Sequence, residues 1–140
     1  MRLHHRLQLK LAVQIRASDF KPDTVLALST GGFPIGAAVP KQLKISGRNV
    51  IGLPTYKDEV GDYHLDEQLV KLLDFTNRTV LVVDEASKRG LLTKKIVATV
   101  EEHGGRAKSA VLLAWSKGVQ PDFVVETCGE DVPDFYWEEI

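Results

Sequence analysis

The chain has 140 residues, enough for one domain (residues 1–140) with a real core, and its 44% hydrophobic and 26% charged residues are ordinary for a globular protein. A formal net charge of -1 excludes a global electrostatic drive toward nucleic acid or an anionic membrane, and no apolar run approaches the ~20 residues of a membrane span. The single cysteine, Cys128, excludes an internal disulfide and suits a reducing, cytoplasmic setting.

The start, Met1 to Arg6, is basic, and no signal-peptide apolar core follows it. His4 and His5 read as a solvated terminus rather than a metal pair. Leu7, Leu11 and Ile15 fit helical spacing, which predicts a helix from about Gln8 to Ala17. Pro22-Asp23 marks a turn, and Val25 to Leu28 reads as a buried strand. It ends at Ser29-Thr30-Gly31-Gly32. A helix over 33–39 follows, with Pro34 in its first turn. Paired glycines let backbone approach a ligand closely. Asn49 to Leu53 is a further strand. Pro54 to Leu65 is polar and aperiodic, which predicts a functional or mobile loop.

The stretch from Arg78 to Thr93 organises the rest. Val80 to Val83 is a short β-branched run, read as a buried strand that stops at Asp84-Glu85. The acids then sit at a strand's carboxyl end, where ligands bind in open α/β sheets. Ala86, Ser87, Lys88, Arg89, Gly90, Leu91, Leu92 and Thr93 form a loop into a helix N-terminus, which favours an anion. Leu92, Ile96 and Val100 make that helix's apolar stripe, and Gly104-Gly105 stops it. Ala110 to Ala114 and Phe123 to Val125 are the last strands. Strands alternating with helices imply an α/β fold, a mostly parallel sheet flanked by helices.

An apolar strand ending in two acids and followed by a small-residue loop resembles the signature of the type I phosphoribosyltransferases. Lys21-Pro22-Asp23, the strand after it and the Gly31-Gly32 loop resemble the purine subgroup, as do Pro121-Asp122-Phe123 and the tail 132–138. The resemblance spans about Leu9 to Glu138. It implies a domain with a small C-terminal hood that transfers ribose 5-phosphate from phosphoribosyl pyrophosphate to a nucleobase, in purine salvage. In that scheme Asp84 and Glu85 hold the ribose hydroxyls, directly or through the shell of a Mg2+ ion, and are the catalytic and metal residues. The 86–93 loop holds the 5-phosphate. Ser29, Thr30, Gly31 and Gly32 hold pyrophosphate. Tyr56 and Lys57 belong to a flexible loop that closes over the site, and Val132, Phe135 and Trp137 of the hood cover the base. Members of the family commonly form homodimers.

Several positions depart from the family pattern. Thr30 stands where a basic residue is usual, and Lys88 where the 6-oxopurine enzymes carry an Asp beside the purine. Arg89 and Leu92 replace loop threonines, with Thr93 one residue late, and Ala114 falls near the usual base-recognising Lys. These changes touch base chemistry more than sugar-phosphate binding. The alternative to an enzyme is therefore a non-catalytic relative that binds a nucleotide or phosphoribosyl pyrophosphate as a regulatory module. A receiver-like phosphate-binding domain is a third reading, which Ser29-Thr30 fits poorly because it supplies no acid cluster.

Overall fold

The computed structural model describes residues 2–28, 31–60 and 63–129. In chain order these form α1 (Arg2–Ala17), β1 (Thr24–Leu28), α2 (Gly32–Gln42), a 3-10 turn (Gly47–Asn49), β2 (Val50–Leu53), β3 (Thr55–Lys57), β4 (Tyr63–Leu65), α3 (Glu67–Lys71), β5 (Thr79–Ser87), α4 (Leu91–Glu102), β6 (Arg106–Trp115) and β7 (Phe123–Cys128). Five strands make one sheet in the order β2-β1-β5-β6-β7, and every pairing in it is parallel. β3 and β4 form a separate antiparallel pair. The expected α/β architecture, a parallel sheet flanked by helices, is the observed one. The proposed hood, with Val132, Phe135 and Trp137, lies outside the described residues.

A parallel sheet is covered on both faces, so its central strands are apolar on both. Val25 and Ala27 of β1 and Leu81 and Val83 of β5 pack under α1 and α2, against Leu7, Leu11, Ile15, Ile35 and Val39. The alternate residues Leu26, Leu28, Val80 and Val82 pack under α4 and the 70–75 segment, against Ile96, Val100, Val70 and Phe75. Each fully buried side chain of this kind stabilises by ~1.5–3 kcal/mol before the cost of chain ordering.

The structure corrects several expected boundaries. α1 starts at Arg2 rather than near Gln8. The reason is that His4, Leu7, Gln8, Leu11, Ala12 and Ile15 form one buried stripe, so His4 is only 5% exposed and not solvated. Gln8 Nε2 donates to His4 Nδ1 within the stripe. The segment 54–65 is not an irregular loop but the β3–β4 hairpin. Its registered pairs Tyr56↔His64 and Lys57↔Tyr63 are also side-chain pairs, a ring stack at 5.4 Å and a cation over a ring at 5.6 Å. His64 Nε2 and Asp58 Oδ2 lie 2.6 Å apart across it.

The largest correction concerns β5. It does not end at Val83 but runs on through Asp84, Glu85, Ala86 and Ser87. The ten-residue β6 offers partners that far, pairing Asp84 with Val111, Ala86 with Leu113 and Ser87 with Ala114. β1 stops short, its last pairing with β5 being Ala27↔Val83. The turn into α4 is thereby reduced to residues 88–90, with Leu91, Leu92 and Thr93 already helical. The Pro-Asp turns close the other end of the sheet. Asp23 Oδ1 accepts from Thr79 N at 3.2 Å, and Asp122 Oδ2 accepts from Ser109 N at 2.8 Å.

Candidate functional site

The strand order sets the location. β1 is followed in the sheet by β2 on one side and by β5 on the other, so the chain reverses its winding between β1 and β5. A crevice forms at such a switch point, outside the carboxyl ends of the strands. The connection after β1 leads to α2 on one face and the connection after β5 leads to α4 on the other, so the two turns part around the crevice. The last β1–β5 pair is Ala27↔Val83, so the acids lie just beyond the paired end of β1.

Asp84 and Glu85 stand at this point. Strand alternation sends their side chains to opposite faces. Asp84 is half-buried, and its Oδ1 accepts from Glu85 N at 2.8 Å. Glu85 is 5% exposed and lies on the α2 face. Its carboxyl group packs against Gly31, where an added Cβ would come within 2.6 Å of Glu85 Cγ and Cδ. A Cβ on Gly32 would meet the Val83 carbonyl oxygen at 2.4 Å. The two glycines are therefore the means by which the turn after β1 reaches the backbone of β5. Gly31 caps α2 without a side-chain hydrogen bond, and Gly32 is its first residue. Ser29 and Thr30 lie outside the described residues.

The turn after β5 is held from outside the crevice. Gly90 caps α4 at φ +80°, a left-handed conformation that other residues adopt only at a cost. A Cβ there would lie 2.0 Å from the Val119 carbonyl oxygen, and one on Gly118 would lie 2.2 Å from the Lys88 carbonyl oxygen. Val119 N donates to Arg89 O at 2.9 Å. The turn after β6 thus clasps the turn after β5, backbone to backbone. Lys88 and Arg89 carry exposed side chains at the crevice rim. Ala86 and Ser87 are half-buried at the end of β5. Leu91 is exposed and Leu92 packs on the core. Thr93 is buried, and its hydroxyl donates to Gly90 O at 3.4 Å.

Tyr56 and Lys57 are exposed on the hairpin. A cleft of about 610 Å³ runs under it, lined by Thr55, Tyr56, His64, Asp66, Leu69 and Lys95 among others, and by none of residues 31, 32 or 84–93. The structure therefore joins the glycine pair, the acid pair and the 88–90 turn in one place, while Tyr56 and Lys57 line or flank a neighbouring cleft. The sequence reading missed the Gly118–Val119 clasp and Trp115, whose ring lies 5.9 Å from Lys88 Nζ. Gly118 within a short polar turn was the one local signal for the clasp.

Chemically, the crevice offers carboxylate acceptors for hydroxyl groups, backbone donors at a helix start and two exposed cationic side chains. Among the described residues no three His, Cys, Asp or Glu side chains cluster as a metal cage. The more accessible carboxylate, Asp84, still fits Mg2+, which is ordinarily held by one or two carboxylates together with phosphate oxygens and water.

The model of the phosphoribosyl transferase domain family matches residues 6–139. No curated protein sequence matches the chain. Among solved structures, a hypothetical protein from Neisseria gonorrhoeae with bound ppGpp is 20% identical, with a TM-score of 0.79 over 96% of this chain and 84% of that one. The xanthine-guanine-hypoxanthine phosphoribosyltransferase of Helicobacter pylori is 17% identical, with a TM-score of 0.72 over 95% and 86%. A purine phosphoribosyltransferase from Pyrococcus horikoshii Ot3 is 19% identical, with a TM-score of 0.70 over 94% and 91%.

Proposed function

This chain belongs to the phosphoribosyl transferase domain family, and on that premise we propose that it transfers ribose 5-phosphate from phosphoribosyl pyrophosphate to a purine base. The observation that carries the reading is the meeting of three parts at the switch point. These are the acids Asp84 and Glu85, the glycine pair that packs on Glu85 and the Val83 carbonyl, and the clasped turn that opens α4. Asp84, the more accessible acid, accepts hydrogen bonds from the ribose hydroxyls. Glu85, buried against Gly31, ties the acid strand to the turn after β1 and keeps the two in register.

The 5-phosphate sits on the backbone donors of residues 88–93, where the helix dipole and the charges of Lys88 and Arg89 favour an anion. Pyrophosphate faces the Gly31–Gly32 backbone, and Ser29 and Thr30 are assigned to it as part of the same sequence motif. Asp84, with the phosphates, would hold Mg2+, which would supply charge neutralisation of the leaving group; Glu85 would reach it only through its coordination shell. The hairpin carrying Tyr56 and Lys57 excludes water during transfer, which matters because water competes with the base for the sugar carbon. Val132, Phe135 and Trp137 are the proposed cover of the base, and the chain works as a cytoplasmic homodimer.

The test is a turnover assay with phosphoribosyl pyrophosphate, Mg2+ and a panel of purines. Nucleoside monophosphate formation is expected. Absence of both turnover and binding of any phosphoribosyl compound refutes the reading. A second reading, a regulatory nucleotide binder, draws support from Lys88 in place of an acid and from the ppGpp-bound neighbour. It predicts tight nucleotide binding with no transfer in the same assay.

A further inference from the structure

Given the transferase reading above, on which this inference rests, the 5-phosphate sits on backbone donors at the start of α4. Backbone donors hold an anion well when they already point at it before it arrives, because every group ordered on binding subtracts from affinity. Whatever fixes residues 88–90 in the free chain therefore bears on how tightly the sugar phosphate binds.

The segment between β6 and β7 supplies that hold. It leaves the crevice edge of the sheet at Trp115 and returns to the opposite edge, where Phe123 pairs with Ala110. Both of its ends are pinned. At the crevice edge Ser116 N donates to Cys128 O at 2.9 Å, and Gly118 N donates to Trp115 O at 3.0 Å. At the far edge Pro121 is buried, and Asp122 N donates to Ser109 Oγ at 3.2 Å. Gly118, Val119 and Gln120 cross between the pins. Gly118 and Val119 are the residues that press on the anion turn. Val119 N donates to Arg89 O at 2.9 Å. An added Cβ on Gly118 would meet Lys88 O at 2.2 Å and Arg89 C at 3.2 Å. The Val119 side chain is 45% exposed, so the contact is backbone on backbone and its alignment depends on the shape of the crossing.

Gln120 sets that shape. Its Nε2 donates to Trp115 O at 2.9 Å and to Gly118 O at 3.0 Å, which ties the two ends of the 115–118 turn together. Both hydrogens of the amide are engaged in this way. We propose that Gln120 is a positioning residue for the 5-phosphate. By closing the 115–118 turn it holds Val119 against Arg89 and keeps the donors at the start of α4 preformed. The coupling runs in both directions. A strap that favours the ligand-ready turn is itself favoured by the ligand, by the same factor.

Gln120→Met keeps the length and neutrality of the side chain and removes both donors. Ribose 5-phosphate, measured by calorimetry on the full chain, is expected to bind this variant ~5–30-fold more weakly, the worth of one to two ordinary hydrogen bonds. Gln14→Met is the control for a merely structural effect. Gln14 Nε2 also donates to a backbone carbonyl, Val124 O at 3.3 Å, but it does so from α1, on the other face of the sheet from α4. That variant is expected to leave the affinity unchanged. In the wild-type chain, ribose 5-phosphate is expected to slow hydrogen exchange at the Val119 amide, a readout that decides the matter even if Gln120→Met fails to fold. Unchanged affinity in a folded Gln120→Met, an equal loss in Gln14→Met, or Val119 exchange unmoved by the ligand overturns the strap alone. Absence of ribose 5-phosphate binding by the wild type overturns the transferase reading, and the role of Gln120 with it.

Discussion

Gly90→Ala is the most direct probe of how the anion turn is built. Gly90 has φ +80°, and an added Cβ would lie 2.0 Å from the Val119 carbonyl oxygen and 2.8 Å from its carbon. Two costs add. The left-handed backbone costs an L-residue ~1–2 kcal/mol. The contact is with backbone, which cannot rotate away, so the turn after β6 must shift at ~1–3 kcal/mol, as for overpacking elsewhere. The expected loss is ~2–5 kcal/mol in urea unfolding, with the midpoint temperature lowered by about 10 °C. Gly90→Asn separates the terms. Asn tolerates the left-handed region but carries the same Cβ, so it should recover no more than ~1 kcal/mol. A Gly90→Ala loss below ~0.5 kcal/mol would refute the clasp, and near-complete rescue by Asn would show that the backbone term alone operates. The glycine is thus required by its left-handed backbone and by the closeness of the Val119 carbonyl.

Asp84→Asn should lower ribose 5-phosphate affinity about ten- to a hundredfold by calorimetry, because an amide replaces one acceptor oxygen in a charge-assisted bond; unchanged affinity would remove Asp84 from the site. His4 is held neutral by burial, with its pKa lowered to about 4 from 6.5. Its folded value lies below its unfolded one, so the unfolded chain takes up the proton first. The contribution is present above pH 6.5 and is lost as pH falls toward 4. Urea unfolding at pH 7 and pH 4.5 should show a larger acid loss in wild type than in His4→Leu, and equal losses would place the acid sensitivity elsewhere. Amides of the β3–β4 hairpin should gain hydrogen-exchange protection when phosphoribosyl pyrophosphate and Mg2+ are added, whereas equal exchange would make it a plain surface hairpin. Chelation of Mg2+ should abolish transfer without unfolding the chain, since the described residues form no metal cage of their own.

What the sequence determined by itself is local. The β-branched run Val80 to Val83, the stripe Leu92, Ile96 and Val100, and the stop at Gly104, whose φ is +89°, are set by side chains and backbone freedom within a few residues of each other. They sufficed for the parallel α/β architecture and for placing Gly31-Gly32 and Asp84-Glu85 in turn-proximal positions. The tertiary structure decided the rest, through contacts distant in sequence. β5 runs on to Ser87 because β6 is there to pair with it, a fact no residue in 84–87 announces. Gly31 lies on Glu85 and Gly90 on Val119 because parallel strands bring far-apart turns to the same edge. The polar segment after Leu53 becomes a hairpin because Tyr56 meets His64 and Lys57 meets Tyr63, pairings that alternation of polarity does not reveal. Trp115 becomes a neighbour of Lys88 only once β6 lies beside β5. Periodicity records which face of an element is buried, whereas register and loop-to-loop contact depend on what the rest of the chain brings to that face.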